Sequence, residues 1–257
     1  MNTLWFIPVG LLLGALGTLI GAGGGFMMMP LLLLLYPQES PELLTSISLA
    51  AVCANATSGS VAYIRMRRVN FRAGWMFAAA GVPGTILGAM VTSRLSRGVF
   101  DPIMGGALVL LATFLLVKTA RGGTPADVEG GTDQDFNAPV GVGISAGVGF
   151  LSSLLGIGGG IIHVPALVYV LRFPAHVATA TSHFVLAIST LIVTVYHGAT
   201  GGLTGGWERA GMLAIGVVVG AQVGARLSRK LKGAWIIRCL AVALMTVGAR
   251  VVYRALH

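Results

Sequence analysis

The chain has 257 residues, of which 55% are hydrophobic and 10% are Asp, Glu, Lys or Arg, with a formal net charge of +9. A soluble domain carries about a quarter charged residues, so 17 basic and 8 acidic side chains cannot cover a water-facing surface of this size. A soluble globular enzyme is excluded, as is a disordered chain, which needs low hydrophobicity and high charge.

A mean hydropathy of +0.87 makes lipid the principal solvent. The basic residues sit in short loops between apolar runs, so they report membrane orientation and not a nucleic-acid partner. Taken in chain order, Met1–Trp5 has no positive n-region, and no cleaved signal peptide is expected. Apolar runs follow at 4–20, 26–36, 43–64, 74–93 and 99–117, and again at 138–155, 160–171, 177–197, 210–225 and 234–253. A spanning helix needs about 20 apolar residues. Most runs qualify, but 26–36 and 160–171 are short, and both follow glycine clusters. Gly accounts for 38 residues, roughly twice its average usage, which in lipid signals close helix packing or broken helices. Cys53 and Cys239 lie in apolar runs without metal-ligand spacing, and neither a disulfide nor a catalytic role is expected.

A polar stretch from Thr119 to Phe136 holds Asp127, Glu129, Asp133 and Asp135 and separates two similar halves. Gly21-Ala22-Gly23-Gly24-Gly25 with Pro30 matches Gly156-Ile157-Gly158-Gly159-Gly160 with Pro165 at an offset of 135. Thr45 and Ser48 match Thr179 and Ser182 at 134, and Gly88-Ala89 with Arg94–Arg97 matches Gly220-Ala221 with Arg226–Arg229 at 132. The drift is what a few loop deletions after a duplication would leave. The expected organisation is a first repeat over 1–118, a linker over 119–136 and a second repeat over 137–257.

Counting all ten runs as crossings places 12 basic residues on one side and five on the other, with both termini on the poorer side. If the two short runs instead re-enter from the far face, eight crossings remain and the split is 9 to 8. The positive-inside rule favours the first count. An odd number of crossings per half inverts one repeat relative to the other. This also explains why the basic loop Arg65–Arg72 corresponds to the uncharged loop Gly198–Gly206. The fold expected is thus an all-α integral membrane protein. It has two inverted-topology repeats, each with about four full transmembrane helices and one short, glycine-interrupted half-helix.

Inverted repeats with short interrupted segments at matching positions mark transporters. Gly23, Gly24 and Gly25, like Gly158, Gly159 and Gly160, leave backbone N–H groups at the start of a half-helix, where an anion is favoured. The same glycines also suit tight helix crossing. Pro30 and Pro165 are read as kinks. Thr45, Ser48, Asn55 and Tyr63 fall broadly on one helical face, and Thr179, Ser182, Ser189 and His197 occupy the matching positions. They line a polar pathway or make interhelical hydrogen bonds, worth about 0.6 kcal/mol each on average. All five histidines are in the second half; His163 stands opposite Met28 and His183 opposite Leu49. An ionisable residue within the membrane is a candidate for substrate or proton contact. His176 and His257 sit at a loop and the terminus and are read as solvated. The eight acids all lie in loops or at span ends, which argues against a carboxylate proton relay. No Walker loop, His-Glu-x-x-His or Gly-x-Ser-x-Gly motif is present, so no enzyme and no cofactor are indicated. Arg94/Arg97 and Arg226/Arg229 are read as helix-end interface anchors.

The doubled pattern of apolar helix, Gly-x-Gly-Gly-Gly, short apolar run with Pro, and Thr/Ser at the next helix start resembles the TauE/SafE sulfite exporter permeases over essentially the whole chain. The resemblance implies a multi-pass inner-membrane carrier of sulfur-containing anions such as sulfite or organosulfonates, without ATPase machinery. The substrate-binding set expected is Gly23, Gly24, Gly25, Ser48, Asn55, Gly158, Gly159, Gly160, His163, Ser182, His183 and Ser189, with no metal. The partners implied are the oxyanion and the lipid bilayer, with a homodimer left open. An anion channel and a membrane-embedded assembly subunit are the alternatives.

Overall fold

The computed structural model describes residues 3–120, 132, 135–228 and, towards the C-terminus, 242, 245–246, 248–250 and 253. After a 3-10 turn at Thr3–Trp5, nine α-helices follow in chain order among the described residues up to 228. These are α1 (Phe6–Ile20), α2 (Gly25–Leu35), α3 (Pro41–Arg65), α4 (Phe71–Thr92), α5 (Arg97–Ala120), α6 (Ala138–Leu155), α7 (Gly160–Tyr169), α8 (Ala175–Thr200) and α9 (Trp207–Leu227). The described residues between 242 and 253 are helical as well. Among the described residues seven helices are long and apolar enough to cross a bilayer, and the chain is a multi-pass membrane protein. With 11 and 10 residues, α2 and α7 reach only about 16 and 15 Å at 1.5 Å per residue, about half the hydrocarbon core.

The helix boundaries follow from local chemistry. The N–H groups of Leu43, Ala73 and Val140 donate to the side chains of Ser40, Asn70 and Asn137, which cap α3, α4 and α6. Pro41 and Pro139 occupy the first helical turns, where no N–H partner is lost. The chain leaves α1 and α6 through Gly21 (φ 81°) and Gly156 (φ 65°), left-handed positions that a side chain would strain.

Contacts at the helix ends fix the path of the chain. At one end Thr3 Oγ1 donates to Glu208 Oε1 (2.5 Å) and the Phe6 and Tyr36 rings stack 6.3 Å apart. There Arg97 donates to the carbonyls of Leu33, Tyr36 and Glu39 (3.1–3.2 Å), and Arg209 pairs with Glu39 at 2.9 Å. At the other end the Arg72 guanidinium faces the Phe136 ring, and Phe136 packs on Phe173, just beyond α7. Thus α2 ends where α1 began, and α7 ends where α6 began. α1–α2 and α6–α7 are therefore pairs that enter and leave at one end, with their glycine turns inside the bundle.

The halves interlock. α1 packs along α9, and its counterpart α6 packs along α4; α3 and α8 cross at the centre, flanked by α2 and α7. Water does not drive helices together within lipid, so close backbone contact and dispersion must do so. The α9 stripe Gly216, Gly220 and Gly224 lies against Ile7, Leu11 and Ala15 of α1. On the α4–α6 seam, Gly84 and Gly88 lie against Ala146 and Phe150.

Candidate functional site

The two glycine turns meet in the middle of the bundle. A Cβ on Gly25 would stand 2.6 Å from the Ile157 carbonyl oxygen, and one on Gly160 would strike that of Gly21. Val52, midway along α3, and Leu186, midway along α8, close over Gly23 and Gly158. These contacts place the first turns of α2 and α7 side by side at mid-depth. The helices begin after Gly24 (φ 79°) and Gly159 (φ 27°), and both dipoles present their positive ends to the centre.

The polar surroundings of the two turns differ. Beside the first, Thr18 Oγ1 donates to Asn55 Oδ1 at 2.8 Å, and Asn55 Nδ2 donates to the Gly14 carbonyl at 3.0 Å. The Tyr63 hydroxyl donates to the Thr18 carbonyl at 2.7 Å, and His183 Nε2 lies 3.4 Å from Asn55 Oδ1. All four residues are buried. The network ties α1, α3 and α8 together and fills the first half-site. Ser48 is also engaged: its hydroxyl donates to the Gly156 carbonyl at 2.7 Å. Thr45 donates back to Pro41 and Glu42 within its own helix.

Beside the second turn lies a cavity of about 20 Å³, walled by α4, α6, α7 and α8. Its polar lining is Ser145, Ser152, His163, Ser182 and Ser189, and Gly81, Gly149, Gly159, Gly160, Val148, Val185 and Leu186 complete it. All five polar side chains are buried. His163 Nε2 lies 3.1 Å from Ser145 Oγ, whereas Ser182 Oγ, 1% exposed as a residue, has no hydrogen-bond partner. Ser48, at the matching place in the first half, spends its hydroxyl on a turn carbonyl. Among the described residues no Asp, Glu, Lys or Arg lines this space. It accommodates a water but not a sulfite-sized anion.

Of the residues expected from sequence, the fold therefore gathers Gly159, Gly160, His163, Ser182 and Ser189 around one cavity, with Gly158 in the adjoining turn. Gly23, Gly24 and Gly25 lie on the facing turn, while Ser48, Asn55 and His183 bond to protein groups. Sequence reasoning missed Ser145 and Ser152. The signal was present: at the offset of 135 that aligns the glycine clusters, they stand where the first half has Gly10 and Gly17. A serine replacing a packing glycine adds a hydroxyl to an otherwise apolar helix face. Arg97, expected as an interface anchor, instead caps the end of α2; Arg229, its counterpart, lies outside the described residues, as do Cys239 and His257.

The profile of the family described as Sulfite exporter TauE/SafE matches residues 6–251. The chain is 29% identical to the probable membrane transporter protein YunE of Bacillus subtilis, over 100% of this chain and 99% of the relative. A probable membrane transporter protein of Xylella fastidiosa is 28% identical, covering 75% of this chain and 77% of the relative. The probable membrane transporter protein MJ0441 of Methanocaldococcus jannaschii is 27% identical, covering 72% and 68%. No solved structure matches the chain.

Proposed function

The chain belongs to the sulfite exporter TauE/SafE family, and from that membership we propose that it is a secondary carrier of small sulfur-containing oxyanions such as sulfite or organosulfonates. The observation that carries this reading is the second half-site. A helix N-terminus, four serine hydroxyls and one imidazole converge on a mid-depth cavity that contains no carboxylate. Donors without a compensating acid suit an anion and not a cation. Donors without a full positive charge bind it weakly enough for release.

The two halves act as inverted-topology repeats in this reading, and the exchanged pairings α1 with α9 and α6 with α4 support it. The end carrying Arg65, Arg67, Arg68 and Arg72 is the cytoplasmic one by the positive-inside rule, in the inner membrane. Transport proceeds by alternating access. The in-and-out pair α1–α2 opens towards the end where it is anchored, and α6–α7 opens towards the opposite end.

The test is uptake of labelled sulfite or a sulfonate into proteoliposomes. Saturable flux with counterflow is expected. Flux that rises without saturation identifies a channel, and no flux together with a stoichiometric partner on purification identifies an assembly subunit.

A further inference from the structure

We infer that the cavity beside the second glycine turn accepts its cargo as a monoanion, as hydrogensulfite or a singly charged sulfonate, and rejects dianions such as sulfite itself and sulfate. The inference rests on the carrier reading above and concerns its charge selectivity.

The first support is the list of charges that face the cargo. α4, α6, α7 and α8 wall the cavity, and among its lining residues the one titratable group is His163. The other charged or titratable residues of these helices are Arg72 on α4, Tyr169 on α7 and His176, His183, Tyr196 and His197 on α8, and none of them lines it. The second support is the donor set. Ser182 Oγ is buried without a partner and lines the space; Ser145, Ser152 and Ser189 add hydroxyls, and α7 adds its N-terminal dipole. Donors of this kind stabilise about half a unit of charge at a helix end. The third support is the apolar part of the lining, Val148, Val185 and Leu186, which keeps the local dielectric low.

The selectivity follows from how desolvation scales. The cost of moving an ion from water into a low-dielectric site rises with the square of its charge, so a dianion loses about four times what a monoanion loses. The attraction to neutral donors rises only in proportion to charge. Without a Lys, Arg or metal the balance favours the single charge.

The experiment measures uptake of labelled sulfite and of methanesulfonate by the full chain in proteoliposomes, across the pH range of sulfite's second ionisation. Methanesulfonate stays singly charged throughout. Sulfite flux at low concentration is expected to fall by about tenfold per pH unit above that ionisation, while methanesulfonate flux stays level and excess sulfate inhibits neither. Ser182→Ala is expected to weaken methanesulfonate affinity by about tenfold without changing the thermal midpoint; unchanged affinity overturns the assignment of the site. Sulfite flux that is level or rises with pH overturns the inference. So does a parallel fall for both anions, which would report titration of His163. If neither anion is carried, thermal shift decides. Stabilisation by methanesulfonate but not sulfate then refutes the carrier reading while upholding the monoanion site, and no stabilisation overturns both.

Discussion

Gly220→Ala provides a direct test of the interlocked fold, with Gly211→Ala on the same helix as its control. Both glycines lie within α9, but Gly220 is buried against α1 and Gly211 is exposed. A methyl on Gly220 would meet the Leu11 carbonyl oxygen and stand 2.8 Å from Ala15 N and 3.0 Å from Leu11 C. Ordinary Cβ contacts begin at 3.4 Å, and the neighbours here are backbone, which cannot swing aside. α1 must therefore retreat by about an ångström, forfeiting a quarter to a half of the dispersion well at each nearby contact. Overpacking of this kind costs about 1–3 kcal/mol, partly offset by the 0.5–1 kcal/mol or so that Ala gains over Gly within a helix. The net expectation is a loss of about 0.5–2 kcal/mol. A methyl on Gly211 meets nothing within 4 Å, so that variant is expected to gain about 0.5–1 kcal/mol. Reversible unfolding in mixed micelles measures the order, which should run Gly211→Ala, parent, Gly220→Ala. Equal or greater stability for Gly220→Ala would refute the close α1–α9 seam. Gly84→Ala, which meets the Ala146 carbonyl across the α4–α6 seam, should behave like Gly220→Ala if the two seams are equivalent.

Ser48→Ala and Ser182→Ala should separate structure from binding. The first removes a buried bond to the Gly156 carbonyl and is expected to cost about 1–2 kcal/mol in melting experiments. The second removes an unpartnered hydroxyl, so stability should hold while the KM for the anion rises. Arg97→Gln removes charge-assisted bonds to the end of α2 from a guanidinium that is 24% exposed, and about 2 kcal/mol should be lost. Arg97→Lys should restore only part of it, because an ammonium lacks the planar fork that reaches three carbonyls. Single cysteines at Thr204 and Arg67, in a background without Cys53 and Cys239, should label from opposite faces of oriented vesicles. Labelling from the same face would refute the assigned path of the chain.

Much of this protein could be read from its residues before any coordinates. Low charge and high hydropathy require lipid, because no other solvent accommodates so few ionised groups. The long apolar helices and the short runs after each glycine cluster followed from spacing alone, since helix length against bilayer thickness is a one-dimensional measure. Only the tertiary structure decided that α1–α2 and α6–α7 turn back inside the bundle, because a run of apolar residues carries no record of its direction. It also decided which polar residues are available. Asn55, Ser48 and His183 look much like Ser182, His163 and Ser189 in sequence: all are polar groups on apolar helices, and Ser48 and Asn55 match Ser182 and Ser189 in position. Packing commits the first group to Gly14, Gly156 and Asn55, and leaves Ser182 without a partner beside the second turn. A buried donor is satisfied by whatever stands within 3 Å of it, and that distance belongs to the assembled helices and not to any one of them.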